Sequence, residues 1–272
     1  PRRTRDGGPK RMFADGRFYT SDRKARIVPI RLGDEERAIP EFSLTLNTGR
    51  VRDHWHTMTR TGKSPRLSQH NAEPFVEIHP DDGKRHRIED ADLVRVSTES
   101  CSILVRALIT TRQQPCSIFV PMHWNAQFAS RARVDSLVPG ITDPISGQPA
   151  SKNVPARIER FVAATYGFAV LRRKPEIIPA EYWAIARCSG GWRLEMAFAD
   201  ATVDWPSFAR DMLASENEPV DYRDAQTGRR RFAAYDSGRL TGMLFLAPEP
   251  VAVSREWAVA QLAGADLLLS TR

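Results

Sequence analysis

Apolar residues in this chain come in short runs that turn residues interrupt repeatedly, and this spacing limits the fold more than any other feature of the sequence. Phe75-Val76-Glu77-Ile78, Leu93-Val94-Arg95-Val96 and Ile118-Phe119-Val120-Pro121 suit strands, being short and rich in the β-branched and aromatic side chains that pack on a pleated surface. Phe42 to Leu46 alternates and runs into Asn47-Thr48-Gly49-Arg50, where the glycine permits a sharp turn. The run at Leu93 should pair with Ser102 to Ile109 across Glu99-Ser100. Pro80-Asp81-Asp82 reads as a helix start, with Asp81 as N-cap of a short helix to about Arg87. Many short strands with few helices suggest a closed or nearly closed β-barrel.

Past a boundary near residue 160, the charged, proline-containing segment from Arg172 to Pro179 reads as a link to a small α+β unit. Tyr182 to Ala186 and Trp192 to Met196 flank Cys188-Ser189-Gly190-Gly191 as a hairpin, and Arg230 to Tyr235 and Leu240 to Leu246 form a second one. Asp204 caps a helix from Trp205 to Ala214, and another helix opens at Ser254 and ends at Gly264. Upstream, the first ten residues are a basic, turn-rich linker, and a turn at Asp15-Gly16 separates short extended pieces. The expected class is mostly β with an α+β tail. It divides into a linker with short extended segments (1–35), a barrel (36–170) and a small α+β unit without a chemical reading (175–272).

The 272 residues carry a formal charge of +7, so an anionic partner is attracted. Nucleic acid is the generic candidate, but no recognition helix, RNP motif or basic stripe interleaved with aromatics accompanies the charge. No apolar stretch approaches the roughly 20 residues of a membrane span, and no secretion signal is seen. The three cysteines include no C-x-x-C, which suits a reducing compartment and ordinary small apolar roles. There is no G-x-S-x-G, P-loop or Rossmann fingerprint, and nothing around Glu73/Glu77 or Asp81/Asp82 makes them a working carboxylate pair.

Residues 47–63 pack three arginines, a lysine, two histidines and four threonines between glycines. Backbone N–H groups, hydroxyls and guanidinium groups in such a loop are suited to hold a phosphate. A solvated loop is the competing reading, a His54/His56 metal pair lacks a third ligand nearby, and Trp55 has a core role as its alternative. A second polar stretch from Met122 to Lys152 is long for a connection between strands, which favours function; His123 is equally a satisfied strand-end histidine.

Taken in order, Asn-Thr-Gly-Arg-Val-Arg-Asp-His-Trp-His-Thr-Met-Thr-Arg-Thr-Gly-Lys, Glu-Pro-Phe-Val-Glu-Ile-His-Pro, Phe-Val-Pro-Met-His-Trp and Asp-Pro-Ile-Ser-Gly-Gln-Pro resemble the C-terminal molybdopterin-dinucleotide-binding domain of bacterial assimilatory nitrate reductases. The resemblance implies a double-psi β-barrel covering one side of a bis-molybdopterin guanine dinucleotide with molybdenum. It assigns Thr48, Gly49 and Arg50 to the diphosphate, counts Asn47 among the cofactor-binding residues, and assigns His54, Trp55, His56, Thr57 and Thr59 to the pterin and dithiolene region. His123, Asp135 and Lys152 close the far side, Asp135 standing where the family usually carries Asn. The resemblance further implies a cytoplasmic enzyme that reduces nitrate to nitrite by oxygen-atom transfer. Other domains of the same polypeptide supply a [4Fe-4S] cluster, and ferredoxin, flavodoxin or an NADH-dependent reductase donates electrons. This stretch alone is then inactive, and no membrane or nucleic-acid partner is expected. The alternatives are the same domain of a formate dehydrogenase or other molybdopterin oxidoreductase, and a non-enzymatic anion- or nucleic-acid-binding module.

Overall fold

The computed structural model describes residues 11–27, 29, 41–200 and 202–264. The chain divides into two compact units, Pro1–Arg37 and Ala38–Arg272. In the first, the described residues form turns and no strand: Gly16 N–H donates to Phe13 C=O at 2.9 Å, and Phe13 stacks on Phe18 at 4.7 Å. The expected extended pieces are thus replaced by a segment closed on its own aromatic rings.

The second unit begins with six strands: β1 (Leu44–Gly49), β2 (Phe75–Ile78), β3 (Leu93–Ser97), β4 (Ser102–Ile109), β5 (Ser117–Pro121) and β6 (Val154–Arg160). They close in the order β1-β5-β2-β4-β3-β6, with β1/β5 and β2/β4 parallel and the other neighbours antiparallel, as the double-psi barrel requires. Alternation sorts β1, β2 and β6, whereas β3 and β4 bury consecutive residues; Leu44, Leu46, Val76, Ile78, Val94, Val96, Ile118 and Val120 are buried in the core. Two short helices, α1 (Pro65–Ser68) and α2 (Pro80–His86), lie in the connections. The N-cap of α2 is His79, whose Nδ1 accepts the Asp81 N–H at 3.2 Å; with Pro80 opening the helix, Asp81 moves into its first turn and is not the cap.

The remaining strands, β7 (Thr165–Leu171), β8 (Tyr182–Cys188), β9 (Gly191–Phe198), β10 (Val220–Arg223), β11 (Arg230–Asp236) and β12 (Arg239–Ala247), build one antiparallel sheet in the order β10-β11-β12-β7-β9-β8. Both expected hairpins are present. So are α3 (Trp205–Leu213), capped by Asp204, and α4 (Arg255–Ala263), capped by Ser254. β7 places Ala169 and Leu171 among Phe208, Met212 and Leu213 of α3, and Phe168 and Val170 in the core shared with the barrel and α4. The last barrel strand ends at Arg160. The segment from Arg172 to Pro179 joins two strands of the second sheet and does not link barrel to tail. Of the cysteines, Cys188 is buried, its thiol pushed up to about 11 by burial, whereas Cys101 and Cys116 are exposed rather than in a core.

Candidate anion-binding site

Strand register brings three loops to one place. Parallel pairing sets Gly49 opposite Pro121, so the chains leaving β1 and β5 run on side by side. Antiparallel pairing sets Leu46 opposite Val154, so the residues entering β6 lie beside the end of β1. Lys152 reaches across and its Nζ donates to Thr48 C=O, while the Thr48 hydroxyl donates to Ser151 C=O at 3.0 Å and Asn153 N–H donates to Asn47 Oδ1 at 3.1 Å. Gly49 completes this edge: a Cβ there would stand 2.7 Å from the Phe119 ring, so a side chain would force the ring aside.

The loop after β1 turns on two buried histidines. His123, fully buried just beyond β5, accepts Val51 N–H on Nε2 at 2.9 Å and donates from Nδ1 to His56 C=O at 2.7 Å. The first contact requires a lone pair on Nε2, so the ring is the neutral Nδ1–H tautomer. His54, also buried, donates from Nε2 to Asn71 C=O at 3.1 Å and sets Nδ1 3.4 Å from the Thr61 hydroxyl, which accepts Trp55 N–H at 3.3 Å. Burial lowers both imidazoles below the usual histidine range, against the opposing pull of a backbone carbonyl on each. These contacts hold His56 and Met58 at φ 45° and 60°, conformations that non-glycine side chains adopt at a cost.

Two of the three histidines expected to line a ligand, His54 and His123, thus face inward and brace the loop. His54 is buried and His56 exposed, so they form no metal pair; among the described residues no group of three His, Cys, Asp or Glu side chains is placed to hold a metal. Arg50, Trp55, His56, Thr57 and Thr59 are all exposed, with the Arg50 guanidinium over the Trp55 ring at 5.2 Å and His56 against its edge at 4.5 Å. Arg50, Arg60, Lys63 and Lys152 have no carboxylate partner among the described residues. The one acid of the loop, Asp53, is occupied by Arg52 at 3.0 Å and His70 at 2.8 Å, which lower its carboxyl to about 2. Asp135 is exposed in a turn, Val134–Leu137, tied down by the Thr98 hydroxyl on Leu137 C=O at 2.9 Å; no described bond joins it to the loop. Ser151, Asn153, Asn71 and Thr61 were not among the expected site residues; Thr61 and Ser151 lie within the two polar stretches and Asn153 beside Lys152, whereas nothing pointed to Asn71.

Polar atoms, exposed cations and one planar aromatic suit an anion with a flat ring attached. Residues 44–155 match the family described as Molydopterin dinucleotide binding domain. The chain is 40% identical over 186 residues to a nitrate reductase of Klebsiella oxytoca, covering 68% of this chain and 21% of that protein, a similarity longer than the matched domain. It is 32% identical over 154 residues to the assimilatory nitrate reductase catalytic subunit of Bacillus subtilis, covering 56% and 21%. It is 34% identical over 143 residues to the F420-dependent formate dehydrogenase 1 subunit alpha of Methanococcus maripaludis, covering 52% and 20%. The chain spans about a fifth of the length of these relatives.

Proposed function

With residues 44–155 forming a molybdopterin dinucleotide-binding domain, we propose that the chain is the cofactor-capping C-terminal part of a molybdenum-dependent nitrate reductase. The observation that supports it is the set of cations without a carboxylate partner among the described residues, Arg50 and Lys152 foremost, around the end of β1, where Gly49 carries no side chain. A diphosphate would neutralise them, and the donor set fits: Arg50 and Lys152 bind phosphate oxygens, Thr57 and Thr59 offer hydroxyls, and Trp55 offers a ring face. The bis-molybdopterin guanine dinucleotide, when bound, supplies oxygen-atom transfer from nitrate to nitrite. This chain's residues bind and orient it, and none of them moves a proton in the reaction. The remaining elements of the proposal are a cytoplasmic full-length enzyme, a [4Fe-4S] cluster outside this stretch, and a ferredoxin, flavodoxin or NADH-dependent reductase as electron donor. The isolated stretch would not turn over nitrate.

The test is molybdenum content and dye-driven nitrate reduction in the full-length protein and its Arg50→Ala variant. The proposal expects the parent to hold molybdenum and reduce nitrate, and the variant to lose both together. A parent that holds molybdenum but oxidises formate overturns the substrate; one that matures without molybdenum overturns the function.

A further inference from the structure

We propose that His123 is a positioning residue for the anion loop, holding Val51 and His56 in place as a neutral imidazole, and that protonating it loosens the loop's grip on its ligand. The inference rests on the phosphate-binding reading of that loop. It concerns a residue that reading placed against the cofactor, and gives it a different task.

The geometry leaves His123 no atom for a ligand. Nε2 is taken by Val51 N–H at 2.9 Å, Nδ1 by His56 C=O at 2.7 Å, and the ring is completely buried. Val51 follows Arg50 and His56 follows Trp55, so the two residues that face outward are each anchored through a chain neighbour. The bracing is one imidazole deep, reaching from the end of β5 to both sides of the bend. His54 supports the same bend from below, its ring 5.8 Å from that of His123.

Acid should act on this bolt in a direction opposite to simple charge attraction. More positive charge near an anion site ordinarily tightens binding. Protonated Nε2, however, becomes a donor facing the Val51 N–H, and one accepted hydrogen bond becomes two opposed donors. The groups around the ring are Arg50, His54 and His56, every one neutral or cationic; burial first, and then these neighbours, lower the His123 pKa. Asp53, the one acid of the loop, is paired with Arg52 and His70 and acts on His54 but not on His123. An uncharged ring is therefore the native state at neutral pH, and its protonation competes with the fold of the loop.

The experiment uses the full-length protein with two readouts. Imidazole nitrogen NMR should find His123 as the Nδ1–H tautomer at pH 7.5. Release of the pterin, followed by the fluorescence of its oxidised form, should be about five- to tenfold faster at pH 5.5 than at 7.5, as the loss of one hydrogen bond implies. His123→Gln, which retains an acceptor and does not titrate, should release at one slow rate across that range, and His123→Leu should release fast throughout. An Nε2–H or charged ring at pH 7.5, slower release in acid, or a His123→Leu protein with the parent's pH profile overturns the proposal. If the protein holds no pterin, the cofactor reading fails, and the tautomer still decides the role of His123.

Discussion

In the second sheet the guanidinium groups of Arg193 and Arg230, and beside it that of Arg255 at the start of α4, each lie against a carboxylate, whereas Arg50, Arg60, Lys63 and Lys152 around the end of β1 lie against none among the described residues. Arg255 makes two bonds to the buried Glu195, at 2.9 and 2.8 Å. Burial pushes the Glu195 carboxyl up, and Arg255 and Arg193 oppose that shift. There the charges serve the fold, because a buried ion is tolerated only when paired. Around β1 they are exposed, cost little, and face no carboxylate among the described residues. The same residue type thus does opposite work in two halves of one unit, and burial decides which.

The sharpest way to break this comparison is Glu195→Ala. It should cost about 3–5 kcal/mol by leaving Arg255 and Arg193 without their partner, read as a melting midpoint lower by about 10 °C. Pterin content per folded molecule should not change; a change there would mean that the two sets of charges do not act separately. Arg50→Ala should do the reverse, leaving stability within about 0.5 kcal/mol while weakening ligand retention by about 1.5–3 kcal/mol, the value of a hydrogen bond to a charged group. A drop in melting midpoint comparable to that of Glu195→Ala would place Arg50 among the structural cations. The smallest effect belongs to the exposed Arg52/Asp53/His70 group. Arg52 and then His70 hold Asp53 at about 2, below its ordinary carboxylate value. The stability this supplies is present above pH 4 and is lost only as pH falls through about 2. Asp53→Asn should therefore differ from the parent by a constant amount between pH 5 and 8, a difference lost only in stronger acid; a difference that varies between pH 5 and 8 would mean that Asp53 titrates higher and is not held by the pair.

The strands that alternate between core and solvent were legible from residue order alone, as were the capped helices α3 and α4, because their signals are local. Two of the missed strands lacked such a signal, and in the third a proline masked it. β7 is buried on both faces, so its apolar residues do not alternate; β10 is an edge strand exposed along its length; and β6 contains Pro155, which reads as a breaker. At the site, the density of cations and hydroxyls was visible, and so was the importance of Gly49. The inward roles of His54 and His123 were not, since their partners are backbone atoms of Val51, His56 and Asn71, which leave no mark on side-chain composition.

One bond has a consequence for anyone wishing to move this barrel into another protein. Tyr182 of β8 donates its hydroxyl to Glu73 at 2.8 Å, and Arg106 of β4 holds the same carboxylate while lying over the Tyr182 ring at 5.5 Å. The polar seal of the barrel beside β2 is therefore completed by a residue encoded after the barrel has ended. A transplant of residues 44–155 would arrive with that seal open, its Glu73 and Arg106 facing whatever the new host supplies. The portable piece is larger than the sequence family defines, and its natural cut lies beyond β8.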